Sequence, residues 1–241
     1  MRAETRHQLK QDKFTRTTIQ VAEQTMHWSV EHQGKLIAAA IVIVVVVLAA
    51  LGSWYYLEKQ NETASADFGK AVSVLDTPVR PAGMPAQPDV PSFGSASERA
   101  TEAGKLLQAV MTKYPHTQAA DFSHYLLGTT AASAGDNATA ERELKTVAGY
   151  HDQDLSSLAK MALASVYRNE GKSQDAVNLY KQLVDKPTRT VSKPSAEVAL
   201  AAAYQAAGNT AEAKKVYEQL KKESPSGQAA QMANEKLQAL K

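Results

Sequence analysis

The side chains best suited to holding a metal or moving a proton are scattered along this chain. Its six histidines, His7, His27, His32, His116, His124 and His151, form no H-E-x-x-H pair and no tight cluster. A helical metal site needs two histidines four residues apart, so that both rings leave one face. There is no cysteine, which excludes thiolate metal sites and a disulfide framework. The glycines stand singly, and no Gly-rich phosphate loop occurs. Serines, threonines and carboxylates are abundant, but helices need them as caps and solvated faces. The residues therefore nominate no catalytic group, no cofactor and no small-molecule substrate, and the chain reads as a non-enzyme. Asn61-Glu62-Thr63 and Asn137-Ala138-Thr139 match the glycosylation sequon, a short and weak signal.

The chemistry this chain does advertise is physical. Leu36 to Leu51 contain no polar side chain, and with Gly52 to Leu57 the run reaches 22 residues ending in Trp54, Tyr55 and Tyr56. At about 1.5 Å per residue, a helix of that length covers about 33 Å, enough for a ~30 Å hydrocarbon core. The β-branched run Ile41–Val47 favours a strand by propensity. A lone strand in lipid, however, leaves its backbone polar groups unsatisfied, so a helix is expected. The aromatic trio marks one membrane interface. A cleaved leader fits poorly, because 35 residues precede the apolar run and the run is too long.

Orientation follows the basic residues. Arg2, Arg6, Lys10, Lys13, Arg16 and Lys35 precede the span, whereas only Lys59 and Lys70 fall in the 20 residues after it. The N-terminus is expected in the cytoplasm and the remainder outside, which in a bacterium means the periplasm. The part beyond residue 57 carries 21 Lys/Arg and 21 Asp/Glu. No basic block tracks phosphates, so nucleic acid is not an expected partner. The lipid bilayer is.

Composition divides the chain into residues 1–35, 36–57, 58–76, 77–95 and 96–241. In the first segment Phe14, Val21 and Trp28 lie seven apart on a weakly amphipathic helix. Residues 58–76 continue the apolar helix outward, with Phe68, Ala71, Val72 and Leu75 on one face. Residues 77–95 hold Pro78, Pro81, Pro85, Pro88 and Pro91 and read as an extended or irregular loop.

Beyond Ser97 a repeat appears. Gly135, Gly171 and Gly208 are spaced by 36 and 37. Five residues after each lies an alanine: Ala140, Ala176, Ala213. Nine after lies a large residue: Leu144, Tyr180, Tyr217. Eight before lies a leucine, Leu127, Leu163 or Leu200, followed by a small residue, Gly128, Ala164 or Ala201. This register resembles the tetratricopeptide repeat. In that family helix A carries the leucine–small pair and a late aromatic, matched by Tyr167 and Tyr204 but replaced by Ala131 in the first unit. Helix B carries the small residue at the helix crossing. The surplus over the 34-residue repeat is expected in the inter-repeat loops. Ala103, Leu107, Val110 and Pro115 fit a further helix B, whose helix A would be residues 58–75. Ala229, Met232, Ala233, Leu237 and Leu240 suit a terminal capping helix. The fold class is thus all-α: one transmembrane helix, then a tetratricopeptide-type α-solenoid of helical hairpins.

The resemblance also implies a site. In the family the A helices line a concave groove that holds peptide segments. Carried over by register, the groove positions are Phe122, Tyr125, Thr129 and Ala132. They continue with Leu158, Met161, Ser165, Arg168 and Asn169, and then Ser195, Val198, Ala202, Gln205 and Ala206. Only Arg168 and Asn169 have the chemistry of a carboxylate clamp, so the groove reads as apolar with a polar end. Burial of Phe122, Tyr125 and Met161 against upstream helices is the competing reading.

The layout is similar to bacterial single-span proteins of the ancillary Sec translocon subunit type. That resemblance implies an inner-membrane, single-pass adaptor for envelope proteins, with the translocon or its exported clients as partners. A scaffold for cell division or envelope assembly is the alternative, and an envelope enzyme is disfavoured.

Overall fold

The computed structural model describes residues 33–81, 83–85, 90–223, 225 and 227–240. Most of the N-terminal segment, with Phe14, Val21 and Trp28, lies outside the described residues. Those residues form nine helices. They are α1 (Gln33–Asp76), α2 (Ala96–Lys113), α3 (Gln118–Ala134), α4 (Asn137–Ala148), α5 (Gln153–Asn169), α6 (Ser173–Asp185), α7 (Lys193–Ala206), α8 (Thr210–Glu223) and α9 (Gln228–Ala239). The chain divides into two compact units, one ending at Lys59 and the other running from Gln60 to Lys241.

In the first unit the apolar run is helical throughout, the β-branched stretch Ile41–Val47 included. Its side chains from Ile37 to Leu51 are exposed, and Trp54, Tyr55 and Tyr56 are exposed as well. A helix that is apolar on every face must find an apolar surrounding.

The second unit starts with the remainder of α1. Ala64 and Ala71 are fully buried there, and Phe68 is half-buried. Ala64 packs with Val110, Tyr114 and Ala119, and Ala71 packs with Leu107 and Leu127. Polar contacts reinforce the pairing, since the Tyr114 hydroxyl donates to Asp67 Oδ2 at 2.9 Å and Lys113 Nζ lies 3.6 Å from the same oxygen.

The proline-rich segment between α1 and α2 is pinned at its base. Phe93 N–H donates to Pro78 O and Arg80 N–H to Phe93 O, both at 3.0 Å, forming a parallel bridge between Val79 and Phe93. Arg99 reaches back to Thr77 O at 3.1 Å. Ser95 then starts α2 by accepting from Glu98 N–H, while the Glu98 carboxylate accepts from Gly94 N–H. Ser95 thereby satisfies a donor that a helix start leaves open, and Glu98 ties the residue before the cap to the same turn.

From α3 onward the hairpins repeat one local solution. Gly135, Gly171 and Gly208 all have positive φ, between 77° and 82°. Each closes its helix with the same pair of bonds. Asp136, Lys172 and Asn209 N–H donate to the carbonyls of Ala131, Tyr167 and Tyr204, and each glycine N–H donates to the next carbonyl along. This is the Schellman arrangement, and φ near +80° is cheap only for glycine. The chain reverses, and helix B returns along helix A. Ala140, Ala176 and Ala213 are then fully buried, as are Leu144, Tyr180 and Tyr217. Gly128 approaches α4 so closely that a Cβ there would stand 2.8 Å from Leu144 Cγ.

A single buried cluster runs from Ala131 on α3 to Ala203 on α7. A second joins Ala201, Ala213, Tyr217 and Leu220 to Ala233 of α9, which covers the open end of the last hairpin. Ala230 is also buried on α9.

The surplus residues are not all in loops. The loop after α6, residues 186–192, is long and folded. Arg189 grips the Asp154 carboxylate through Nε (3.0 Å) and a terminal nitrogen (2.7 Å), and Val191 is buried. After α4, by contrast, only residues 149–152 intervene and α5 has 17 residues. Asp152 causes this, because its carboxylate accepts from Asp154 and Leu155 N–H and starts the helix early.

The packing makes a sharp prediction. Ala176→Trp inserts a bicyclic ring where nothing is exposed and should destabilise by about 1–3 kcal/mol or more. Gln174→Trp, on the exposed side of the same turn, should be close to neutral. Thermal unfolding of the two variants measures the difference, and equal melting temperatures would contradict the register.

Candidate functional site

Three capped helices hold the candidate groove residues. Thr117, Asp152 and Ser192 accept from backbone N–H groups at the starts of α3, α5 and α7, and the left-handed glycines fix their ends. Both ends being set, the rotation of each helix follows from its buried face.

On α3, Phe122, Tyr125, Thr129 and Ala132 are half-buried. Phe122 and Tyr125 pack on the large cluster with part of each ring still reachable by solvent. Phe122 is further engaged by Phe68 of α1, ring centroids 6.4 Å apart. Burial pushes the Tyr125 phenol pKa up. The Thr129 hydroxyl turns back on its own helix, to Tyr125 O and Leu126 O, both at 3.1 Å.

On α5, Leu158 and Met161 are half-buried on the same cluster, and Ser165 and Arg168 are half-buried beside them. An Arg168 terminal nitrogen lies 3.4 Å from Ser165 Oγ, and Asn169 is exposed. On α7 the expectations divide. Ala202 is half-buried, and Ser195 and Ala206 are exposed. Val198 packs on the cluster that includes α9, and Gln205 accepts the Tyr217 hydroxyl at 3.0 Å. Gln205 is thus engaged in joining α7 to α8.

The structure also assembles polar groups that spacing does not reveal. His124 Nδ1 and Glu143 Oε2 lie 2.7 Å apart, and Arg142 holds the other Glu143 oxygen at 2.8 Å. Tyr150 stands edge-on to the His124 ring at 6.5 Å. Next to them, burial raises the Asp121 pKa, opposed by His124 and by a hydrogen bond from Tyr150 and reinforced by Asp152. These residues come from two helices and a loop, so no periodic signal marks them. Glu197 on α7 is 2% exposed, and its Oε2 has no hydrogen-bond partner. Burial pushes its pKa up, Lys193 pulls it down, and Glu223 adds to the rise. No group of three His, Cys, Asp or Glu among the described residues has the geometry to hold a metal.

One charged cluster ties successive hairpins. Glu141 on α4 accepts from Lys145 and from Lys172, the latter at 2.9 Å, and the Tyr167 hydroxyl lies 3.3 Å away. Hydrogen bonds from Lys145 and Lys172 lower the Glu141 pKa from the ordinary 4.5 to about 2, opposed by burial.

A carboxylate with a depressed folded-state pKa stabilises the fold fully above its unfolded value. That contribution fades as pH falls from about 4.5 towards 2. Solvent screening limits it to about 1 kcal/mol or less. The drop in melting temperature between pH 7 and pH 3 should therefore be smaller in Glu141→Gln than in the parent. An equal drop would show that Glu141 carries no linkage.

Comparison with known proteins adds the following. Residues 26–241 match the model of a family described as a tetratricopeptide repeat-like domain. No curated protein matches the chain. Among solved structures, a Podosopora anserina protein titled a kinesin light chain with nearly identical TPR-like repeats aligns at 22% identity. It covers 68% of this chain and 93% of its own, with a TM-score of 0.43. A point variant of that protein aligns at the same identity and TM-score, covering 68% and 92%.

Proposed function

This chain belongs to the tetratricopeptide repeat-like family, and from that membership we propose a membrane-anchored adaptor that captures other proteins. The family fold supports protein binding as the general role. The observation that carries the finer reading is the row Phe122, Tyr125, Leu158 and Met161. These side chains come from two successive A helices, and each is only half-covered by its own core. Such a row offers burial to an extended apolar segment of a client, with Arg168 and Asn169 at its polar end.

The anchor in this reading is the apolar part of α1, the described helix long and apolar enough to cross a membrane. Its exposed side chains favour lipid on every face. The basic residues before it favour an N-terminus inside and repeats in the periplasm of a bacterium. The clients are then envelope proteins, those leaving the Sec translocon foremost, and the protein performs no catalysis.

Capture is tested with the full chain in native membranes. Tyr125→Ser with Met161→Ser should weaken crosslinking to clients tenfold or more while keeping helix content, since each buried apolar side chain contributes about 1.5–3 kcal/mol. Unchanged capture with a large loss of stability would place both residues in the core and end the groove reading.

Topology is tested separately. A reporter active only outside the cytoplasm should work when fused after Lys241 and fail when fused before Met1. The reverse pattern would move the repeats into the cytoplasm.

A further inference from the structure

The repeat register equates positions across the inter-repeat interfaces. Four residues before the left-handed glycines stand Ala131, Tyr167 and Tyr204. At two interfaces a lysine from the preceding B helix lies over that ring. Lys145 Nζ is 5.8 Å from the Tyr167 centroid, and Lys181 Nζ is 5.8 Å from that of Tyr204. The same register runs through α2, whose Ala103 and Leu107 are fully buried like Ala140 and Leu144. It sets Gln108 where the lysines stand and Gly104 where Glu141 stands.

The interface of α2 with α3 and α4 therefore lacks the tyrosine, its lysine and its acceptor at once. A cleft of 450 Å³ opens there. The equivalent cleft at the next interface, with Tyr167 in its wall, measures 350 Å³. The larger cleft has Gly104, Leu127 and Ala131 among its lining, all buried. Gln108, Asp136 and Thr139 bring donors and acceptors to it. None of the groove residues takes part in it.

We propose that this cleft is a docking site for a tyrosine side chain presented by another protein. The chain's own Tyr167 is the template for the occupant. It shows that this position in the repeat accepts a phenol ring between a B helix and the following A helix. The ring is favoured over an aliphatic chain because its hydroxyl can also meet the polar neighbours Gln108, Asp136 and Thr139. A partner would thus be held twice, by an apolar segment in the groove and by an aromatic side chain on a separate face.

The test uses the full chain in detergent micelles with labelled alanine methyl groups. N-acetyl-L-tyrosinamide is titrated against N-acetyl-L-leucinamide. The tyrosine probe should shift the Ala131 methyl saturably in the millimolar range, and the leucine probe far less. Ala131→Tyr should fill the cleft from within, abolish the shifts on Ala100 and Ala134, and raise the melting temperature. Gln108→Lys should tighten the tyrosine probe about 2–5-fold, the size of an exposed cation–π contact. Equal responses to both probes would overturn the proposal. So would a lower melting temperature in Ala131→Tyr, or no tightening in Gln108→Lys.

Discussion

The closeness of helix A to helix B governs this fold. Each hairpin brings its two helices together where one contributes glycine or alanine and the other alanine. At Gly128 the approach leaves no room even for a Cβ beside Leu144. Such proximity requires the reversal between the helices to be short and fixed. The three left-handed glycines and their paired carbonyl bonds supply that. Tyr180 and Tyr217 are buried farther along helix B of their pairs.

Once the hairpins are set, each has an apolar side that it cannot cover alone. The cluster from α3 to α7 shows neighbours covering one another in succession, and α9 ends the series with an exposed side that is mostly polar. Stability in such an array is a sum of units and nearest-neighbour interfaces. Charged contacts lie on top of this. Asp154 with Arg189 fastens one loop, and Glu141 with two lysines fastens one interface. They are partly exposed, so they fine-tune the array and do not create it.

Much of this was readable from the chain. Glycines at intervals of 36 and 37, with small and large residues at fixed offsets, define the hairpins because close crossing and reversal admit few residue types. The candidate groove was less legible. Gln205 and Thr129 qualify by position, yet one is taken by Tyr217 and the other by its own backbone. Phe122 meets Phe68, which is 54 residues away in sequence. Position on a helix says which way a side chain points, but not which distant group arrives to meet it. For the same reason His124 with Glu143, and the buried Glu197, left no trace in periodicity.

The bridge between Val79 and Phe93 has one more consequence. Because those two residues, with Arg80 and Arg99, clamp both ends of the proline-rich segment, the first hairpin does not sense how much chain lies between them. The entropy of closing a loop grows only with the logarithm of its length, by about 0.6 kcal/mol per doubling. The stem therefore turns this segment into a length-neutral insertion point. Residues could be added or removed there over evolutionary time, or a whole epitope grafted, without the solenoid registering the change.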